Sequence, residues 1–386
     1  MNRNTRVNRR EFLQSGAAAA AVAIGGTQGI KAEQGKKEQK IDPAKIVNFH
    51  PGMRYRRVGD TDAVLSVISC GGIGFERAVA HRAVDLGVNL IHTSPGYDGG
   101  RSFQEVASVL KTKRDKVYVA VKDTFYKGSL SDIDTVLKAL GTDRIDFVMF
   151  NRHHAGSVAD PAIPERFAAW KKQGKVRYAG LTSHDDVKGC VAAGIGSGYY
   201  SLIMPVLNQP ELELMAEELR NAREKGIGIM AMKSLQGLNG TDLQTAYVKK
   251  LLANPAVTTI NKAFTNHDLF TMFYKAVGDT LSAEEDMRLY RYARENRRNT
   301  CLMCGSCERA CPKGIGISTL LRAKLYYHDQ LRDRETAAAA ARDLPADRRH
   351  DGVCLSCRTC ESVCPNGIAI VDRLREASNL FRTLPV

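Results

Sequence analysis

The chain has 386 residues, enough for a sizeable buried core and more than one domain. Its 44% hydrophobic and 25% charged content is that of a globular protein, and no apolar run is long enough for a conventional membrane-spanning helix. The formal net charge of +14 lacks a dense basic stripe with interleaved aromatics, which argues against a dedicated nucleic-acid binder.

The first 32 residues read as an address. Asn8-Arg9-Arg10-Glu11-Phe12-Leu13-Gln14 precedes an Ala-rich, weakly apolar stretch from Ser15 to Ile24. Paired arginines followed by Phe-Leu and a short apolar region resemble a twin-arginine export signal. Such a signal implies a periplasmic or exported protein. Ile30-Lys31-Ala32 is a weak cleavage site, so an uncleaved anchor is the other outcome. The polar stretch that follows reads as a linker, residues 33–52.

From Tyr55 to about Ala276 short apolar runs alternate with amphipathic helical stretches. Eight strands are expected: Val67–Cys70, Val88–His92, Val117–Val121, Ile145–Phe150, Arg177–Leu181, Leu202–Val206, Gly226–Met230 and Val257–Ile260. Expected helices between them include Phe103–Lys111, Leu130–Leu140, Pro164–Gln173, Leu212–Lys225 and Leu243–Leu252. Strict alternation implies a parallel sheet, and eight units imply a closed (β/α)8 TIM barrel over residues 53–285. An open doubly wound sheet is disfavoured, because no Gly-rich dinucleotide fingerprint follows the first strand.

The tail, residues 286–386, carries a repeat. Cys301-x2-Cys304-x2-Cys307-x3-Cys311-Pro312 recurs as Cys354-x2-Cys357-x2-Cys360-x3-Cys364-Pro365. This is bacterial ferredoxin spacing, twice, and implies two [4Fe–4S] clusters. In two-cluster ferredoxins the fourth cysteine ligates the other cluster. The expected sets are therefore Cys301, Cys304, Cys307 and Cys364, and Cys354, Cys357, Cys360 and Cys311. The long gap between motifs, with helices at Ser318–Tyr327 and Glu335–Arg342, makes this domain mainly helical. Cys70 and Cys190 lie outside the set and read as buried thiols.

Four segments sharpen the barrel: Met53–Gly59, Gly87–Tyr97, Gly174–Leu181 and Gly226–Lys233. Together they resemble the aldo-keto reductase superfamily, in the branch whose barrel is followed by a ferredoxin-like domain. The resemblance implies hydride transfer between NADP or NAD and a carbonyl or alcohol, on a tetrad of Asp, Tyr, Lys and His. Tyr97 takes the place of the tyrosine acid–base and Lys122 that of the lysine, whose charge lowers the tyrosine pKa. His92 stands where the family has Asp, and Asn151 where it has His, with His153 and His154 just beyond. Thr182 and Ser183 fall where the nicotinamide carboxamide is held. Met232 and Lys233 fall where the ring is stacked, and Lys262 near the adenosine phosphate.

These readings describe an exported oxidoreductase acting on a small carbonyl or alcohol, sugar-like substrates included, with clusters that either carry electrons to a redox partner protein or brace the fold. The departures at His92 and Asn151 leave a second reading, a non-catalytic electron-transfer or docking subunit on a barrel scaffold.

Overall fold

A computed structural model describes residues 41–123, 133–325 and 354–382, with Tyr327, Ala337 and Leu344 between the last two spans. The twin-arginine motif, residues 33–40 of the linker, residues 130–132 of one expected helix and most of Glu335–Arg342 lie outside the described residues.

A short antiparallel hairpin, β1 (Tyr55–Arg57) and β2 (Val64–Ser66), precedes the barrel. Eight parallel strands then close on themselves: β3 (Ile68–Gly71), β4 (Leu90–Thr93), β5 (Tyr118–Lys122), β6 (Ile145–Arg152), β7 (Val176–Ser183), β8 (Leu202–Pro205), β9 (Gly228–Ala231) and β10 (Val257–Lys262), with β10 paired to β3. All eight expected strands form, each within a few residues of its expected limits. The hairpin was not anticipated. Asn89 ties it to the barrel: its Oδ1 accepts the Ser66 amide at 2.7 Å and its Nδ2 donates to the Val64 carbonyl at 2.9 Å.

The outer layer contains α1 (Arg77–Asp85), α2 (Arg101–Lys113), α3 (Ile133–Leu140), the short α4 (Ala155–Val158), α5 (Ala162–Lys172), α6 (Val187–Ser197), α7 (Gln209–Leu214), α8 (Ala216–Glu224), α9 (Thr241–Ala253) and α10 (His267–Gly278). The single helix expected over Leu212–Lys225 is instead two, α7 and α8, broken at Met215. The cause is local. Asn208 and Glu211 form a reciprocal capping box around Pro210 and start α7 earlier than the apolar period suggests. The helix faces press Phe147, Phe150, Phe264, Phe270 and Phe273 into a continuous core.

Gly71 ends β3 with φ of 149°, and a Cβ there would overlap the His92 backbone carbonyl oxygen on β4. Only glycine allows this approach of two strand ends. Gly71→Ala is expected to destabilise the protein by about 3 kcal/mol or more, measured as a lowered denaturant midpoint at unchanged slope.

The described residues from Asp42 onward form one compact unit. After α11 (Ala283–Glu295) come α12 (Ser306–Arg309), α13 (Ile317–Leu325), α14 (Thr359–Ser362) and α15 (Ile370–Arg382). They enclose a second, smaller apolar core around Ile315, Leu320, Ile368 and Leu374. No helix among the described residues is long and apolar enough to cross a membrane.

Candidate active site and cysteine pockets

The carboxyl ends of parallel strands point their loops to one face of a barrel, and chemistry collects there. Tyr97 opens a turn after β4. Asp98 and Gly99 hold positive φ angles of 53° and 64°, and Asp98 Oδ2 accepts the Gly74 amide at 2.7 Å. That bond ties the turn to the loop beyond β3. Lys122, the last residue of β5, places its Nζ 4.9 Å from the centre of the Tyr97 ring. His92 on β4 meets the same ring edge-on at 5.8 Å. These three predicted residues form one group. A cation over the ring favours negative charge on the phenol oxygen and leaves the ring fixed in place.

His92 is buried, with Nδ1 3.4 Å from the Asn261 amide nitrogen and no partner at Nε2. Burial, aided by the Lys122 charge, pushes its pKa from 6.5 down to about 3. The unfolded chain therefore takes up a proton below pH 6.5 that the folded chain refuses until about pH 3. Stability falls as the pH drops through that window. Urea midpoints measured from pH 7 to pH 4 are expected to show this acid slope reduced by about one proton in His92→Gln.

Asn151 lies near the end of β6. Its Nδ2 is 3.2 Å from His153 Nε2, and His153 Nδ1 is 2.8 Å from Asp185 Oδ2. The two loop histidines therefore part company. His154 is exposed and caps α4 by accepting the Ser157 amide, whereas His153 turns to Asn151 and Asp185. Asp185 is held well ionised, its pKa lowered to about 2. The Arg322 charge and the bonds from His153 and Ser318 outweigh burial.

The expected cofactor residues fall in two groups. Thr182 Oγ1 lies 4.0 Å from Met232 Sδ, both deep in the barrel, and Ser183 Oγ donates to the Asp185 carbonyl at 2.6 Å. Lys233 has a left-handed backbone at φ 55°. Its ammonium sits in a desolvated spot beside Arg322, Asp185 and Glu211, although other atoms of the residue reach solvent; burial and Arg322 lower its pKa strongly. Lys262 is lowered too, by burial and by the Lys233 charge. Sequence reasoning missed the buried polar set around them: His184, Gln209, Ser234 and Gln236. Each carries a buried atom with no hydrogen-bond partner, at the ends of β7, β8 and β9. It missed Asp123 as well, an acid beside Lys122 whose pKa burial raises to about 7. The polar run Thr182-Ser183-His184-Asp185-Asp186 at a strand end was the available signal.

The eight motif cysteines surround two open spaces. Cys301, Cys304, Cys307 and Cys364 line one of about 380 Å³, with Ser318, Leu321 and Ile370. Cys311, Cys354, Cys357 and Cys360 line the other, about 340 Å³, with Ile317, Leu355 and Leu374. Each space takes three cysteines from one motif and the last from the other. Among the described residues no three metal-binding side chains converge as the ligands of a single ion do. A cubane cluster instead binds each thiolate on a different iron, so its sulfurs ring a space. The two thiol rings, walled by apolar side chains, fit that demand. All ten cysteines are unbridged, and burial lifts Cys70 and Cys190 to about 12.

The first space abuts the barrel, where Arg309 pairs with Asp186 at 3.6 Å beside Gly305. The second reaches solvent, with Leu355 63% exposed and Cys357 exposed.

The Aldo/keto reductase family matches residues 75–301, more than half of the chain, and the protein belongs to that family. A curated relative, the uncharacterized oxidoreductase YqkF of Bacillus subtilis, is 26% identical over 150 residues, covering 34% of this chain and 49% of that protein. The chain thus spans about half the length of the curated relative it matches. Among solved structures, a putative aldo-keto reductase from Pseudomonas aeruginosa aligns at 22% identity and a TM-score of 0.49, over 58% of this chain and 95% of that one. The aldo-keto reductase AKR11C1 from Bacillus halodurans, in its holo form, aligns at 20% and 0.49, over 62% of this chain and 96% of that one.

Proposed function

We propose that this chain is an iron–sulfur oxidoreductase of the aldo-keto reductase type that interconverts a carbonyl and an alcohol. Its barrel spans residues 53–285 and its cluster domain residues 286–386. The observation that carries the reading is the pair of four-cysteine rings, one of them tied by Arg309 to Asp186 in the loop after β7, on a barrel that groups Tyr97, Lys122 and His92 at the ends of β4 and β5.

In the direction of reduction, Tyr97 gives its proton to the carbonyl oxygen. The Lys122 ammonium steadies the charge this leaves on the phenol oxygen. Asn151 takes the place of the family's histidine and donates an amide N–H to the same oxygen. His92, neutral at physiological pH, packs the Tyr97 ring and fills the space of the family's carboxylate. The orphaned polar atoms of His184, Gln209, Ser234 and Gln236 fit a polar ligand between β7 and β9, and Lys262 fits an anionic end. A bound NADP or NAD there would supply the hydride, and bound clusters would supply or remove single electrons. The solvent-facing second ring is the natural point of exchange with a partner protein. The twin-arginine motif supports export in a folded state with these groups already in place.

The departures at positions 92 and 151 favour one competing reading, an electron-transfer or docking subunit on an inactive barrel. Nicotinamide binding to anaerobically purified protein separates the two. Binding together with turnover of small aldehydes or sugars supports the enzyme. No binding of NADPH or NADH in the presence of intact clusters contradicts it.

A further inference from the structure

The two cysteine motifs repeat in three dimensions as well as in sequence. Met303 and Ser356 share positive φ angles of 49° and 53°, and Gly314 and Gly367 share 61° and 64°. Glu308, after the third cysteine of the first motif, accepts the Ser318 amide at 2.7 Å; Glu361 accepts the Val371 amide at 2.9 Å. Each glutamate thus pins the helix that follows its motif, α13 or α15, and the two helices pack together.

The symmetry breaks on one face. Position 318 is serine where position 371 is valine. Arg322 and Arg375 are equivalent, yet their side chains are 3% and 54% exposed. Both departures meet at one acid of the barrel. Ser318 Oγ, whose closer acceptor is Glu308 Oε1 at 2.5 Å, lies 3.2 Å from Asp185 Oδ1, and Arg322 lies 3.4 Å from Asp185 Oδ2. A plain salt bridge would suffice to dock the two parts. Asp185 does more, because its Oδ2 also accepts from His153 Nδ1 at 2.8 Å.

That bond settles the hydrogen positions beyond it. An ionised carboxylate can only accept, so Nδ1 carries the imidazole proton. In the neutral ring Nε2 is then an acceptor, and the Asn151 amide must turn its Nδ2 towards it, 3.2 Å away. One N–H of Asn151 is then spent on His153, and its Oδ1 is buried with no partner. We propose that Asp185 is a positioning residue through which the first cysteine repeat, by Ser318 and Arg322, sets the tautomer of His153 and thereby the direction of the Asn151 amide. The role of Asn151 towards a carbonyl oxygen rests on the function proposed above; the joint itself does not. The charged or titratable groups around it also include Glu308, which shares Ser318 with it, Cys190, His184, Lys233 and the adjoining Asp186.

The test uses the full chain, prepared without oxygen and labelled with 15N-histidine. Iron content is measured on every sample, and the His153 signals are assigned with His153→Gln. The wild type is expected to show one neutral form protonated at Nδ1. Ser318→Val combined with Arg322→Met is expected to give a mixture of tautomers, and Ser318→Thr alone, which keeps a hydroxyl and Arg322, to retain the single form. With reduced nicotinamide and a test aldehyde, the double variant is expected to lose about tenfold in kcat while KM stays within about twofold. Arg322→Met alone is run alongside, since it leaves the Ser318 contacts in place. Unchanged His153 nitrogen shifts in Arg322→Met and in the double variant would overturn the proposal. Iron-free wild-type protein would instead remove the cluster reading, with the histidine signals still deciding the joint.

Discussion

Tyr97→Phe is expected to lower carbonyl reduction by about 10²–10⁴-fold, with nicotinamide binding unchanged. Among the described residues the Tyr97 phenol has a cation over its ring, with Lys122 Nζ 4.9 Å from the ring centre, and the proposed function makes it the proton donor. Removing one oxygen deletes the proton and leaves the ring packing on His92 intact. Lys122→Met should cost a comparable amount, because the charge left on the phenol oxygen loses its partner. The Tyr97→Phe and Lys122→Met losses should not add, since both act on one proton transfer. The pH profile separates the two variants: Lys122→Met should keep a tyrosine-dependent limb displaced to higher pH, and Tyr97→Phe should lack one. Activity of Tyr97→Phe within about threefold of wild type would assign the proton to another group, Asp123 beside Lys122 being an acid with a suitably raised pKa.

The second large effect concerns the cysteines. If the rings hold clusters as they are arranged, Cys364→Ser should remove the same cluster as Cys301→Ser, although the two residues lie in different motifs. Cys311→Ser should likewise match Cys354→Ser. Each variant should fall from about eight irons per chain to about four. The pairing should also appear in electron paramagnetic resonance, with one reduced signal lost in the first pair and the other in the second. Loss according to motif, Cys301 with Cys311, would contradict the crossed arrangement. The first pair carries the heavier structural consequence, since Ser318 and Arg309 tie that ring to Asp185 and Asp186 on the barrel.

The eight strands were legible because each is an apolar run bounded by turn residues, and a parallel barrel buries both faces of every strand. The grouping of Tyr97, Lys122 and His92 is also what the family register leads one to expect. What the sequence concealed is of two kinds. Helix limits shifted where a cap overrode the apolar period, as at Asn208 and Met215. The polar joint was hidden because its members come from β6, β7 and α13, far apart in the chain. His153 looks like loop surface until Asp185 and Asn151 are seen beside it. Ser318 and Arg322 look like ordinary helix residues until the second repeat shows what an undocked helix carries at the same places. Long-range contacts of polar side chains leave no period in sequence, so only the folded geometry reveals them.

Iron and acid-labile sulfide counted on protein purified without oxygen bear most directly on whether the thiol rings are cluster sites. The arrangement calls for about eight of each per chain, with broad visible absorption that bleaches on reduction. Fewer than about one iron per chain, with no such absorption, would leave the rings without their contents and contradict the account.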